Sequence, residues 1–368
     1  MKNIHVNAGN GYDIFIGNGL LDRAGELCAD ALDAKKKALK NMKIALFTDS
    51  NVERLYAERV RKSLEMQGFD VFVYSYEAGE LSKNITTVSS FIDFMAERSL
   101  GRGDAVAVLG GGVAGDMGGF AASIYMRGIK FIQIPTSLLA AVDSSVGGKT
   151  GVDTVVGKNL IGSFWQPSLV LCDTAVFNTL DEGLIMDGLA EVIKTAAICD
   201  ADFYAELERV AETEPDRKAV FEKLISGDEA ESLVGKCVKI KSRVVEADER
   251  ESGLRRILNF GHTMGHAIEK HAEYKISHGK AVAIGMCMIS RAAERHGLGE
   301  SGIYERLSRL LAKFGYDISY EADNEELCRI AEKDKKAKGG GIGLVYLSEM
   351  GRAEVKELPV ADLTAFFE

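Results

Sequence analysis

The run Ala105–Phe120, AVAVLGGGVAGDMGGF, constrains the fold more than any other part of the chain. Five small apolar residues lead straight into six glycines within the ten positions from Gly110 to Gly119. Gly110, Gly112 and Gly115 fall in G-x-G-x-x-G register, after a strand-like segment and before a helical one. Glycines at such a junction let backbone N–H groups approach a pyrophosphate at a helix N-terminus. A tight strand–helix turn with no ligand is the plainer reading of the same pattern. About twenty residues on, where a ribose-binding acid usually stands, the chain reads KFIQIPTS and has no carboxylate. Asp49, ending the apolar run IALFTD, and Glu80 in GELSKN are the available acids.

The neighbouring segments repeat one rhythm. KIALFTD and DVFVYSYE have strand character, ERLYAERVRKSLEMQGF and TVSSFIDFMAERSLG have helical periodicity, and KFIQIP is a further strand. Alternation of this kind predicts an α/β domain with a Rossmann-like parallel sheet covered on both faces. From about residue 180 the periodicity turns helical, with a closing hairpin expected at Met350–Gly351. The expected organisation is an α/β domain over 1–179, carrying the glycine run, and a mostly α-helical second domain over 180–368. The charged stretch Ala211–Asp228 is expected to be a surface loop or helix end.

The formal net charge of −10 argues against nucleic acid and anionic membranes as partners. No apolar run is long enough to span a bilayer, and the first residues alternate polar and apolar. Six scattered cysteines without a C-x-x-C pair suit a reducing, cytoplasmic setting. An acidic chain that binds an anion must gather cations locally, and one stretch does so. AAVDSSVGGKTGVDTVVGKNLIGSFWQP carries Asp143, Lys149, Lys158 and Asn159 among five glycines, with Arg127 just upstream. Its valines, Leu160, Ile161, Phe164 and Trp165 are more apolar than a solvated loop requires.

Four of the six histidines lie between Asn259 and Met286. His262 and His266 are four apart and share a helix face, and His278 opens the next helical segment. Two histidines from separate helix starts suit an open divalent-metal site if a third ligand joins them. Glu191 is the best candidate, because it and Lys194 sit in GLAEVIKTAAI, where little else is polar. A simple ion pair is the alternative. Lys241 occupies a similar slot on the row Val234, Val238, Lys241, Val245. His271 sits among charges and is expected at the surface.

Together, GGGVAGDMGGFAASIYMRG, IPTSLLAAVDSSVGGKTGVD, GKNLIGSFWQP, GLAEVIK and LNFGHTMGHAIE…HGKAVAIGM closely resemble the 3-dehydroquinate synthase family, essentially end to end. The resemblance implies a lyase using NAD and one divalent metal, zinc or cobalt, with Glu191, His262 and His278 as ligands. It implies substrate-contacting or proton-handling positions at His266, Lys149, Lys158, Asn159, Lys194, Arg127, Lys241, Arg255 and Asn259. Around NAD it implies Asp49, Asn51, Glu80, Lys83, Gly111, Gly112, Val113, Asp116, Thr136, Ser137 and Asp143, with Lys149 and Lys158 nearby. The DKK at Asp334–Lys336 matches a further lysine motif.

The implied substrate is 3-deoxy-D-arabino-heptulosonate 7-phosphate, a phosphorylated sugar acid of the shikimate pathway of aromatic amino acid biosynthesis. Transient oxidation by NAD, loss of phosphate, re-reduction and an intramolecular aldol would give 3-dehydroquinate with no net redox change. A homodimer is expected. A sister sugar phosphate cyclase, such as a 2-deoxy-scyllo-inosose synthase, would share the scaffold, and a metal-dependent alcohol or glycerol dehydrogenase is a more distant alternative. Arg255 discriminates, because a neutral sugar needs no cation there.

Overall fold

A computed structural model describes residues 1–32, 42–335 and 341–368. The chain opens with strands β1 (Lys2–Val6) and β2 (Tyr12–Gly17) and helix α1 (Ala24–Ala31). It continues through β3 (Lys43–Asp49), a single turn α2 (Ser50–Val52), α3 (Glu58–Met66), β4 (Asp70–Tyr76), α4 (Ile85–Glu97), β5 (Ala105–Gly110), α5 (Gly112–Ile124) and β6 (Lys130–Pro135). A hairpin of β7 (Lys149–Thr154) and β8 (Gly157–Phe164) precedes β9 (Leu169–Asp173). Seven strands form one sheet in the order β1-β2-β9-β6-β5-β3-β4, parallel except for the β1–β2 pair.

Every residue of β5 is buried, as expected of a central parallel strand covered on both faces. Helix α4 shows how one face is covered. Asn84 caps it by accepting the Thr86 and Thr87 N–H groups, and Val88, Phe91 and Met95 form its buried stripe. Phe91 meets Phe47 of β3 at a ring separation of 4.6 Å. Helix α5 lies unusually close to the sheet. A Cβ on Gly118 would stand 2.5 Å from the Val108 side chain of β5, and one on Gly119 would stand 3.3 Å from Phe131 of β6 and 2.6 Å from Thr150 of the hairpin. These two glycines of the run therefore serve packing, whereas Gly110–Gly112 form the strand–helix junction itself.

The second half supplies α6 (Glu182–Cys199), α7 (Ala201–Thr213), α8 (Arg217–Ile225), α9 (Gly227–Ala247), α10 (His262–His271), α11 (His278–Arg295), α12 (Ile303–Lys313) and α13 (Asn324–Lys335). The hairpin of β10 (Gly341–Glu349) and β11 (Arg352–Pro359) follows, turning at Met350–Gly351, and a short α14 (Leu363–Phe367) closes the fold. Two compact units result. One joins Met1–Leu180 with Ile225–Arg250, and the other joins Asp181–Leu224 with Glu251–Glu368.

Two expectations need correction. The charged stretch Ala211–Asp228 contains α8, which buries Val220, Phe221, Leu224 and Ile225. Its apolar stripe is hidden in the sequence by Arg217, Lys218, Glu222 and Lys223 on the other face. In the lysine-rich stretch, Val142, Val146 and Val152 are buried, but Val155, Val156, Leu160, Ile161 and Phe164 are exposed on the β7–β8 hairpin. The hairpin packs through β7, where Thr150, Gly151 and Val152 are buried, and leaves the apolar side chains of its turn and of β8 uncovered.

Candidate functional site

In the second unit, three helices bring Glu191, His262 and His278 together. Helix α6 is held at its start by Asp181, whose carboxylate accepts the Leu184 N–H at 2.9 Å. Twelve of its residues are buried, Glu191 and Lys194 among them. Gly261, in the left-handed region at φ 79°, turns the chain so that His262 opens α10. Asp187 of α6 accepts the Gly279 N–H at 2.8 Å and fixes the start of α11, where His278 stands.

Glu191 Oε1 lies 3.6 Å from His262 Nε2 and 3.3 Å from His278 Nε2. Lys194 Nζ contacts the other carboxylate oxygen. One ligand atom from each of Glu191, His262 and His278 falls within 4.8 Å of the others. A second group, His266, Glu269 and His278, meets the same limit. The exposed His266 ring lies 5.3 Å from His262 and 6.3 Å from His278, centre to centre.

The electrostatics follow from this crowding. Burial opposes the charge of Glu191, yet Lys194, His262 and His278 outweigh it and hold the carboxyl well below the usual carboxylate range. Burial and the Lys194 ammonium push the His262 imidazole down. Burial also acts against a charged His278, but Glu191 and Glu269 raise it to about 10. Both Glu191 oxygens are shut off from solvent and accept no well-formed hydrogen bond. A fully buried carboxylate in that condition, facing two imidazole Nε2 atoms, has the donor chemistry of a divalent-metal site.

Arg255 and Asn259 lie on a 3-10 turn, Leu254–Asn259, that leads into α10. Arg255 is 1% exposed, and Asn259 Nδ2 donates to Glu251 Oε1 at 2.8 Å. The side chains of Asp334 and Lys335, and all of Lys336, lie outside the described residues. His271, expected at the surface, is half-buried, with Nδ1 2.6 Å from the Tyr320 hydroxyl.

In the first unit, the candidates gather at the carboxyl ends of the parallel strands. From β3 the chain runs to β4 on one side and then returns to β5 on the other. This reversal is where open α/β sheets form a ligand crevice. Asp49 ends β3, and its Oδ1 accepts the Asn51 and Val52 N–H groups at 2.9 and 3.0 Å. Its Oδ2 faces Gly110, 3.6 Å from where a Cβ would stand. Because β3 precedes β5 in the chain, the acid at this crevice comes before the glycine run.

Gly111 and Gly112 face Ser137 and Ser144 in turn, and Val113 is half-buried at the start of α5. Ser144 Oγ is buried without a hydrogen-bond partner, a polar atom left for a ligand. Thr136 follows β6 and donates its N–H to Gly110 O.

Lys83 is buried and bridges Asp116 at 2.7 Å and Asn159 Oδ1 at 2.6 Å. Lys158 lies 3.7 Å from Glu80. Lys241 donates to the Asp143 carboxylate at 2.5 Å and to its carbonyl at 2.6 Å. Lys149 and Arg127 are exposed.

Glu251, Glu269, Asp187 and Ser144 escaped the reading of the sequence. Glu269 carried a usable signal, a charge three residues after His266 among the apolar residues of α10. The other three act through a capped backbone, a single amide or a hydroxyl, and leave no periodic trace.

Residues 73–187 match the model for the N-terminal domain of 3-dehydroquinate synthase, and residues 188–337 match that for its C-terminal domain. The 3-dehydroquinate synthase of Streptococcus gordonii is 43% identical over 359 residues, 97% of each chain. A 2-deoxy-scyllo-inosose synthase solved with carbaglucose-6-phosphate, NAD+ and Co2+ shares the fold at TM-score 0.86 and 23% identity, covering 100% of this chain and 99% of its own. The 2-epi-5-epi-valiolone synthase of Streptomyces hygroscopicus, solved with NAD+ and Zn2+, has TM-score 0.83 and 26% identity over 96% of this chain and 95% of its own.

Proposed function

The chain belongs to the 3-dehydroquinate synthase family, and on that premise we propose that Glu191, His262 and His278 hold its divalent metal, while the carboxyl ends of β3, β5 and β6 hold NAD. It is a phosphate-eliminating carbon–oxygen lyase, converting 3-deoxy-D-arabino-heptulosonate 7-phosphate to 3-dehydroquinate and phosphate in the shikimate pathway of aromatic amino acid biosynthesis. When bound, Zn2+ or Co2+ supplies a Lewis acid, and NAD supplies a hydride acceptor regenerated within each turnover.

The chain's own residues bind, orient and neutralise charge. Asp49 offers Oδ2 toward a ribose hydroxyl, with Asn51 two residues on and Glu80 in the turn that follows β4. Gly111, Gly112 and Val113 present backbone to the pyrophosphate at the start of α5. Lys83 keeps Asp116 and Asn159 in place, and Thr136, Ser137 and Asp143 complete the cofactor side. Lys149, Lys158 and Arg127 are cations for the substrate phosphate.

Arg255 presents a planar fork to the substrate carboxylate, with Asn259 held beside it by Glu251. Lys194 keeps an ammonium beside Glu191, and the exposed His266 handles protons next to the metal ligands. Lys241 holds Asp143 and adds positive charge to the same unit.

The observation carrying this reading is the meeting of one carboxylate and two imidazoles from three helices within 4.8 Å. The test is release of inorganic phosphate from the heptulosonate phosphate, with and without NAD+ and a chelator. Release that needs both, without accumulating NADH, is expected. Steady NADH production would mark a dehydrogenase, and preference for glucose 6-phosphate a sister cyclase.

The same reading makes the protein a cytoplasmic homodimer. Six cysteines without a disulfide suit a reducing compartment. The exposed apolar side chains of the β7–β8 hairpin suit burial against a second copy. No helix among the described residues is long and apolar enough to cross a membrane.

A further inference from the structure

The two histidines of the proposed metal triad each turn Nδ1 toward a different kind of group. His262 Nδ1 lies 3.1 Å from the carbonyl of Phe260, two residues before it. That contact commits Nδ1 as the donor and turns Nε2 toward Glu191. His278 is placed differently. Its Nδ1 faces Glu269 Oε1 at 3.6 Å, while its Nε2 faces Glu191 Oε1 at 3.3 Å. The imidazole is thus set between two carboxylates on two helices.

Glu269 is only 4% exposed, on the face of α10 that also buries Met264, Gly265, Ala267 and Ile268. A carboxylate buried there is costly unless its charge is used. It stands seven residues, about two helical turns, from His262. One helix therefore carries a metal ligand at its start and, further along, the group that faces the other histidine.

We infer that Glu269 is the positioning residue of His278: its carboxylate accepts the Nδ1–H, fixes tautomer and ring plane, and reserves Nε2 for the metal beside Glu191. A carboxylate behind a ligating imidazole also makes it a stronger donor, and losing such a partner typically lowers metal affinity about ten- to a hundredfold. The inference rests on the metal-site reading above. Because His266, Glu269 and His278 also lie within 4.8 Å of one another, the rival role for Glu269 is that of a direct ligand.

Co2+ titration of the metal-free, full-length chain against a competing chelator separates these roles. Glu269→Gln keeps an acceptor but loses the charge, so a loss of about tenfold is expected. Glu269→Leu removes both, and about a hundredfold is expected. At saturation both variants should give the wild-type Co2+ absorption bands, because the ligand set is unchanged. Melting of the metal-free Glu269→Gln variant, followed by circular dichroism, should stay near wild type. A purely structural role would instead lower that melting temperature and leave the affinity of the folded chain intact. Unchanged affinity in both variants, or shifted Co2+ bands at saturation, would overturn the inference. Glu191→Gln serves as the separate control: wild-type Co2+ affinity in that variant would sink the metal-site reading itself.

Discussion

Asp187 of α6 and Gly279 of α11 join their two helices through one close backbone approach. The aspartate accepts the Gly279 N–H at 2.8 Å, and a Cβ on that glycine would stand 2.5 Å from the Asp187 Cα. Backbone cannot yield as a side-chain tip can, so any residue larger than glycine must push α11 away from α6. His278 is the residue before Gly279, and Glu191 is one turn beyond Asp187. Gly279→Ala should therefore cost about 1–3 kcal/mol in stability and roughly a hundredfold in turnover through the displaced ligand. Thermal melts and phosphate release measure both; normal values in the alanine variant would show that the contact relaxes.

Glu191→Gln should cut phosphate release roughly a hundredfold or more, because the metal loses its charged ligand. It should also destabilise the metal-free protein, since Lys194 would be left buried without a carboxylate. Near-normal turnover with tight metal retention would remove Glu191 from the ligand set.

Arg255→Leu should lower kcat/KM for the sugar-acid phosphate by about ten- to a hundredfold, the worth of a charge-assisted hydrogen bond. Arg255→Lys should recover part of the loss, because it returns the charge without the fork. Identical kcat/KM in wild type and the leucine variant would refute contact with the carboxylate.

In the metal-free protein burial opposes the His278 charge, but Glu191 and Glu269 push it up to about 10, above its ordinary value of 6.5. Its stabilising contribution is thus complete below about pH 6.5 and is lost as pH rises toward 10. Metal-free melting temperatures should fall across that window, and a His278→Gln variant should flatten the slope. Metal binding should release about one proton near neutrality, and affinity should climb with pH. Calorimetry in two buffers of different ionisation enthalpy reads the proton count; zero release would contradict a protonated His278.

Val156→Asp combined with Leu160→Asp should turn a dimer into a monomer by placing charges on the uncovered hairpin. Sedimentation should then report the single-chain mass of 39.9 kDa. A wild-type chain already sedimenting at that mass would dispose of the dimer.

Much of the fold was legible because burial on both faces writes itself into composition. β5 is nearly pure alanine, valine and leucine, and its neighbours repeat that pattern at helix-length intervals. Helix α8 is hard to read in the sequence because charges fill four of the five positions its buried stripe leaves open. The helical period of α9 is plain, but no periodicity says which core a helix joins, and α9 joins the first unit.

At the candidate site, Glu191, Lys194 and Lys241 were visible as charges in apolar surroundings, and all three are buried. Glu269 offered the same signal more faintly. Asp187 gave none, since its role depends on a glycine amide ninety-two positions later.

The detour of the chain through Ile225–Arg250 also bears on how the protein is made. Helix α9 buries Val234, Val238 and Val245 in a unit whose strands were all synthesised earlier. On the ribosome, those strands must wait for about sixty-five residues beyond Leu180 to emerge, most belonging to the other unit, before their core can close. A nascent chain halted after Leu180 would expose that unfilled surface to chaperones and proteases.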